Sequence, residues 1–422
     1  MKVCLNNYIV KIKENDEVKN SIIYLSSTIF TKGITFIIIP ILTALLTIED
    51  YGKLSLFESY FNLTCALILF STPNYLSKHY YKTFDISIKI KYCILINFFV
   101  TLILILGLIS FSFFRDLDLP IYILLAIPIL GLFNSVIETY LIILRLKKKA
   151  LDYLKLEISR LLVDTLFLFL FVISFKLGWI SKFYSIFIAL LLLATYCFIR
   201  ISQLINFRFN LKLNLNELKK TFYFLLPLII HSISFTLINT YDKISIQNFL
   251  GLEDLAIYSV YSKFTSVSII VIVGINKAFS PKLFELMSNN YSIEFDKQIK
   301  QLIMFLIVLL LLIGALVFTF DGYFLPKEYL AGSFLIPFFC LSFLFYGVYS
   351  IIFPIIISKG NNLYLMFFTL FSAILNIILN NILIKPIGLY GAVLGTLFAF
   401  FFLMLLTGIY SRKLVKTWMK NI

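Results

Sequence analysis

Long apolar runs, separated by short charged stretches, follow one another from residue 21 to residue 410. Twelve such runs lie near 21–46, 54–77, 92–113, 119–144, 157–176, 183–200, 221–247, 255–276, 301–320, 332–357, 362–383 and 388–410. Each approaches or exceeds the ~20 residues a helix needs to cross a bilayer. Their length excludes core strands, and Leu, Ile and Phe on all sides exclude amphipathic surface helices. The pattern predicts an all-α, polytopic membrane protein of about twelve transmembrane helices, with Pro40, Pro227, Pro337 and Pro354 inside the first, seventh and tenth.

Charge between the runs orients them. With the N-terminus inside, the inner connections and both termini hold about 27 of the 37 Lys and Arg residues, and the outer connections about six. This bias is the positive-inside pattern. A missed span would invert it for every later loop, so its persistence predicts an even helix count and two cytoplasmic termini. Residues 1–20 mix acids with lysines and have no small-residue cleavage site, so they read as a cytosolic arm rather than a signal peptide.

Composition agrees. The 422 residues are 60% hydrophobic and 14% charged, against roughly 25% charged in a soluble domain. The net charge of +15 is explained by the inner loops and needs no nucleic acid. The five cysteines and two histidines share no ligand spacing, so neither a metal site nor a cofactor is expected. The longest connections, around 201–220 and 277–300, are too short for a soluble catalytic domain. Whatever the protein does takes place between its helices.

A weak repeat divides the chain. Glu49-Asp50-Tyr51-Gly52-Lys53-Leu54-Ser55 aligns with Glu253-Asp254-Leu255-Ala256-Ile257-Tyr258-Ser259, close to half the chain length apart. Both follow the first helix of a half, and the basic stretch 201–220 falls between the halves. Two six-helix lobes, 1–210 and 211–422, are expected around a central cavity, as in transporters with parallel repeats.

Ionisable groups within spans cost several kcal/mol unless they face a cavity or a partner. Here they are Lys32, Glu58, Glu138, Arg160, Asp164, Asp242, Lys243 and Lys263. Ser232, Thr236, Asn239, Lys243 and Gln247 recur at helical spacing on one face of the seventh run, as do Ser21, Tyr24, Thr28, Lys32 and Thr35 on the first. Ser259, Lys263 and Ser266 do so on the eighth, and Ser55, Ser59 and Asn62 flank Glu58 on the second. The ninth run is nearly free of polar groups and is expected to face lipid. The bland readings are Ser and Thr as packing contacts, an Arg160–Asp164 pair at i,i+4, and His231 as a packing residue rather than a proton relay. The balance favours a cationic passage: Lys32, Lys243 and Lys263 are candidate anion ligands, with Asn239 and Ser259 beside them, partly offset by Glu58 and Asp242. Such a passage suits a phosphate or pyrophosphate.

Specific stretches resemble a known family. Thr31-Lys32-Gly33-Ile34 leading into Ile39-Pro40-Ile41-Leu42-Thr43 and Glu49-Asp50-Tyr51-Gly52 is similar to the first helix and loop of polysaccharide flippases. So are Leu226-Pro227-Leu228, Asp242-Lys243-Ile244, Ile257-Tyr258-Ser259 and Gly388-Leu389-Tyr390-Gly391-Ala392. The chain resembles the O-antigen (Wzx-type) flippases of the multidrug/oligosaccharidyl-lipid/polysaccharide exporter superfamily over essentially its whole length. The resemblance implies two six-helix lobes, alternating access in the bacterial cytoplasmic (inner) membrane, and an undecaprenyl-pyrophosphate-linked oligosaccharide as substrate. It also implies a proton or sodium ion as coupling partner, with Glu58, Glu138, Asp164 and Asp242 all open as the coupling carboxylate. Polysaccharide polymerase and glycosyltransferases are the implied neighbours. Lys243 stands where arginine is frequent in the family, which removes bidentate phosphate binding there. The rival readings are a cation-coupled multidrug exporter, which calls for deep acids rather than lysines, and a membrane polymerase or ligase, which calls for a long external loop.

Overall fold

A computed structural model of the protein describes residues 16–69, 72–80, 86–112, 119–204, 215–276, 292–358 and 362–420. The proposed cytosolic arm through residue 15, much of the two basic connections (205–214 and 277–291) and the side chain of Lys32 lie outside the described residues. The expected lobe boundary at 210/211 lies there too.

Among the described residues there are twelve long helices and no strand. They are α1 (Asp16–Leu45), α2 (Ile48–Leu69), α3 (Ile86–Ser112), α4 (Ile121–Leu146), α5 (Ala150–Phe169) and α6 (Ile180–Leu204). Then follow α7 (Leu215–Phe249), α8 (Leu252–Thr265, running on to Asn276), α9 (Ser292–Phe324), α10 (Ile336–Ser358), α11 (Asn362–Ile387) and α12 (Leu389–Lys420). A short helix, Thr72–His79, follows α2, and a 3-10 stretch, Lys327–Leu335, leads into α10. Nine of the described helices are long and apolar enough to span a membrane outright. The other three are α1, α2 and α5; α2 carries Glu49, Asp50, Lys53 and Glu58, and α5 carries Asp152, Lys155, Glu157, Arg160 and Asp164.

The helix pairings repeat. In the first half α1 packs on α5, α3 on α4, α4 on α6 and α5 on α6; six helices later α7 packs on α11, α9 on α10, α10 on α12 and α11 on α12. The result is two lobes of one design, which meet chiefly where α2 touches α7 and α8. The outer face of α9 carries Met304, Phe305, Val308, Leu311 and Leu312 exposed, as expected for a lipid-facing helix.

The repeated Glu-Asp sequence has a local cause. Glu49 and Asp50 occupy the first turn of α2, and Glu253 and Asp254 the first turn of α8. Carboxylates there complement the positive end of the helix dipole, and Thr47 Oγ1 accepts the Asp50 N–H at 3.1 Å as a cap. Gly251, at φ 108°, makes the sharp turn from α7 into α8 that a side chain would strain.

These two helix starts, outermost in the expected orientation, close the molecule at that end. A Cβ on Gly52 would lie 2.1 Å from the carbonyl oxygen of Leu252, so only glycine lets α2 and α8 cross in backbone contact. The fully buried Tyr51 ring meets Tyr329 edge-on, with centroids 6.0 Å apart.

Candidate functional site: an interlobe cavity

Glu58 lies six residues beyond Gly52 along α2, about 9 Å farther into the membrane at 1.5 Å per residue. A cavity of ≈ 630 Å³ begins at this depth, between the lobes. Its walls come from α1 (Thr35, Phe36, Ile39), α2 (Glu58, Phe61, Asn62), α6 (Lys182, Ile186), α7 (Phe235, Thr236, Asn239, Thr240, Lys243), α8 (Ser262, Lys263, Ser266, Val267, Ile269) and α10 (Phe343, Tyr346). The volume falls in the ~300–1,000 Å³ range of ligand sites.

Helical period explains which side chains face it. Thr236, Asn239 and Lys243 of the α7 stripe line the wall together with Thr240; Asn239 Nδ2 donates back to Phe235 O at 2.8 Å. From α8 come Ser262, Lys263 and Ser266, and from α2 Glu58 and Asn62. Ser259 does not belong to this set. It is fully buried, while its repeat counterpart Ser55 is 2% exposed, both on the outer side of the lysine. The 3–4 spacing that grouped Ser259 with Lys263 spans a stripe wide enough to include both cavity and packing surface.

The charges are paired in ways the sequence did not predict. Lys263 Nζ lies 2.6 Å from Glu58 Oε2, joining α8 of one lobe to α2 of the other. The same ammonium sits 5.3 Å over the Tyr51 ring. Lys182, which falls in the outer connection between the fifth and sixth apolar runs, is the third residue of α6; it lines the cavity and bonds Asp164 Oδ2 at 2.7 Å. Ser185 donates to the other oxygen of Asp164 at 2.8 Å. The i,i+4 pair of Arg160 with Asp164 is therefore not formed. Arg160 instead reaches across to α4, donating to Asn134 Oδ1 at 2.8 Å and Glu138 Oε1 at 3.3 Å. Spacing along one helix permitted the first pairing, but the packing of α5 between α4 and α6 offers each charge a better partner on a neighbour.

Asp242 departs further from expectation. Instead of offsetting the lysines at the cavity mouth, it is 3% exposed and points into the C-terminal lobe. Tyr258 donates to its Oδ2, Thr396 donates to the same atom at 3.4 Å, and Oδ1 accepts the Lys243 backbone N–H at 2.8 Å. The chain of polar groups continues from Thr396 to Asn376 at 3.5 Å and from Asn376 to Asn380 at 3.1 Å. Asn376 and Asn380, four apart in an apolar run, were the available signal for this network. His231 bonds Thr369 of α11 at 3.1 Å and is not among the residues that line the cavity.

Comparison with known proteins decides the family. The profile of the family described as polysaccharide biosynthesis protein matches residues 18–287. The chain belongs to this family. An uncharacterized membrane protein of Haemophilus influenzae is 23% identical over 277 residues, 64% of this chain and 65% of that one. The match thus spans just under two thirds of that relative. Among solved structures, the lipid II flippase MurJ in an inward closed conformation superposes with a TM-score of 0.72 at 15% identity, covering 93% of this chain and 87% of that one. A multidrug resistance MATE transporter of the MOP superfamily in an inward-facing conformation gives 0.70 at 11% identity, with 95% and 96% covered. This member of the polysaccharide biosynthesis protein family is a multi-pass membrane protein with the two-lobe fold of MOP-superfamily transporters, as the motif resemblance implied.

Proposed function

We propose that the protein is a flippase that moves an undecaprenyl-pyrophosphate-linked oligosaccharide, such as an O-antigen or capsule repeat unit, across the bacterial cytoplasmic membrane by alternating access. The observation that carries this reading is the convergence of Lys182, Lys243 and Lys263, drawn from both lobes, on one interlobe cavity. Ammonium groups bind phosphate oxygens by charge-assisted hydrogen bonds, and the amide and hydroxyl groups of Asn62, Asn239 and Thr236 supply partners for sugar hydroxyls. The polyprenyl tail stays in lipid while the headgroup crosses, and no covalent bond changes. Lys32 is the further cation that the α1 sequence offers to this set.

The four carboxylates divide in roles. Glu58, Glu138 and Asp164 each hold a cationic side chain, whereas Asp242 is bonded by hydroxyls and a backbone amide. That environment makes Asp242 the preferred site for a coupling proton or sodium ion. Both termini lie in the cytoplasm, following the basic inner loops.

Complementation tests the reading. In a strain lacking its own flippase, Lys243→Gln and Lys263→Gln should each cut surface glycan by about tenfold at unchanged membrane levels of the protein. Full complementation by both variants, or export of cationic dyes in place of glycan, would overturn it.

A further inference from the structure

The ion pair between Glu58 and Lys263 sits at a mechanical position. Its two residues belong to different lobes, and it lies just beneath the closure in which Gly52 meets Leu252 and Tyr51 meets Tyr329. Lys263 serves both levels, because its ammonium also lies over the Tyr51 ring. The pair is not sealed: the two side chains are 22% and 23% exposed and line the cavity. Lys182 and Lys243 line the same cavity as Glu58. Glu58 thus shares the cavity with three ammonium groups, of which Lys182 is also held by Asp164, and an anionic ligand would meet them there.

We infer that Glu58 is an exchangeable counter-anion: it latches the lobes through Lys263 while the cavity is empty and yields Lys263 to the phosphate of the cargo, so that loading releases the outer closure. The inference rests on the anion-binding reading of the cavity. A diphosphate brings more charge and more acceptor oxygens to Lys263 than one carboxylate does. Once it is bound, Glu58 is left beside a like charge, and the attraction that held α2 to α8 becomes a repulsion. After the cargo leaves outward, Glu58 recaptures Lys263 and the closure re-forms. Such a latch suppresses outer opening of the empty protein and so limits idle leakage.

The sign of one substitution tests this. Inorganic pyrophosphate binding is measured on the full-length purified protein by calorimetry. In parallel, spin labels at Glu49→Cys and Glu253→Cys, two exposed positions in the first turns of α2 and α8, report the outer distance in a background without the native cysteines. Glu58→Gln removes a competing anion, so pyrophosphate should bind more tightly, by about tenfold, within the ~5–150-fold range of typical coupling between sites. The empty Glu58→Gln protein should already show the longer outer distance that pyrophosphate induces in the unsubstituted protein. Lys263→Arg keeps the charge and should retain both closure and response. Unchanged or weaker binding in Glu58→Gln, with the outer end still closed, overturns the latch while leaving the cationic cavity standing. Failure of pyrophosphate to bind the unsubstituted protein overturns the latch together with the reading beneath it.

Discussion

Asp242 and Lys243 are consecutive residues of α7 that serve opposite sides of it: Lys243 lines the interlobe cavity, and Asp242 is buried against Tyr258 and Thr396. Successive helical positions differ by about 100° in direction, so a dipeptide read as one charged unit belongs to two environments. Their substitutions should separate accordingly. Asp242→Asn should remove the dependence of transport on a proton or sodium gradient, and Lys243→Gln should weaken headgroup binding while leaving that dependence. Flux measured under imposed gradients distinguishes them, and identical profiles for both variants would contradict the division.

Lys182 and Asp164 form a partly buried pair, 13% and 22% exposed. Removing one partner of a buried pair costs ~3–5 kcal/mol, and the partial exposure here lowers that to about 1–3 kcal/mol. Lys182→Gln alone should therefore reduce the thermal midpoint in detergent. The double variant with Asp164→Asn should recover it but not recover transport, since the cavity has still lost a cation. Recovery of both would make the pair purely structural.

Arg160 is held by Asn134 and Glu138 within the N-terminal lobe, away from the residues that line the cavity. Arg160→Lys preserves the charge but loses the forked geometry that reaches both partners. Export per molecule should stay within about twofold of the unsubstituted protein while its stability falls by about 1 kcal/mol. A loss of export at normal protein level would place Arg160 in the transport path instead.

Gly52→Ala places a methyl group where the Leu252 carbonyl now lies. The outer ends of α2 and α8 should then separate, and a cysteine introduced at Asn62, which lines the cavity, should react with impermeant thiol reagents added outside. Protection equal to that in the glycine protein would show that the contact can relax sideways.

Much of this was legible in the order of residues. The lengths of the apolar runs located the twelve long helices among the described residues, because backbone hydrogen bonding in lipid leaves little alternative to a helix. The α7 stripe placed Thr236, Asn239 and Lys243 together because one helix fixes their relative directions. Pairings between helices were not legible. Arg160 and Asp164 are four apart and looked like partners, but their neighbours α4 and α6 decide otherwise. Lys182 looked like a loop lysine because it falls at the first turn of its span, where position along the sequence does not distinguish a headgroup contact from a cavity wall. Asn376 and Asn380 were missed because uncharged amides barely disturb an apolar run, although they are costly when unpaired.

Topology has a direct check. Lys147→Cys and Lys420→Cys should label only from the cytoplasmic side, and reaction of either with an impermeant reagent outside intact cells would break the orientation on which inner and outer are assigned.

The central claim is that a cationic cavity between the lobes carries a diphosphate-linked sugar across the bilayer. Its most direct measurement is flipping of an undecaprenyl-pyrophosphate oligosaccharide by the purified protein in liposomes, followed by accessibility of the headgroup to an added glycosidase. The account predicts transfer that depends on the protein and slows by about tenfold or more in Lys263→Gln, the loss of roughly one charge-assisted hydrogen bond. Transfer at equal rates with and without that lysine would contradict it.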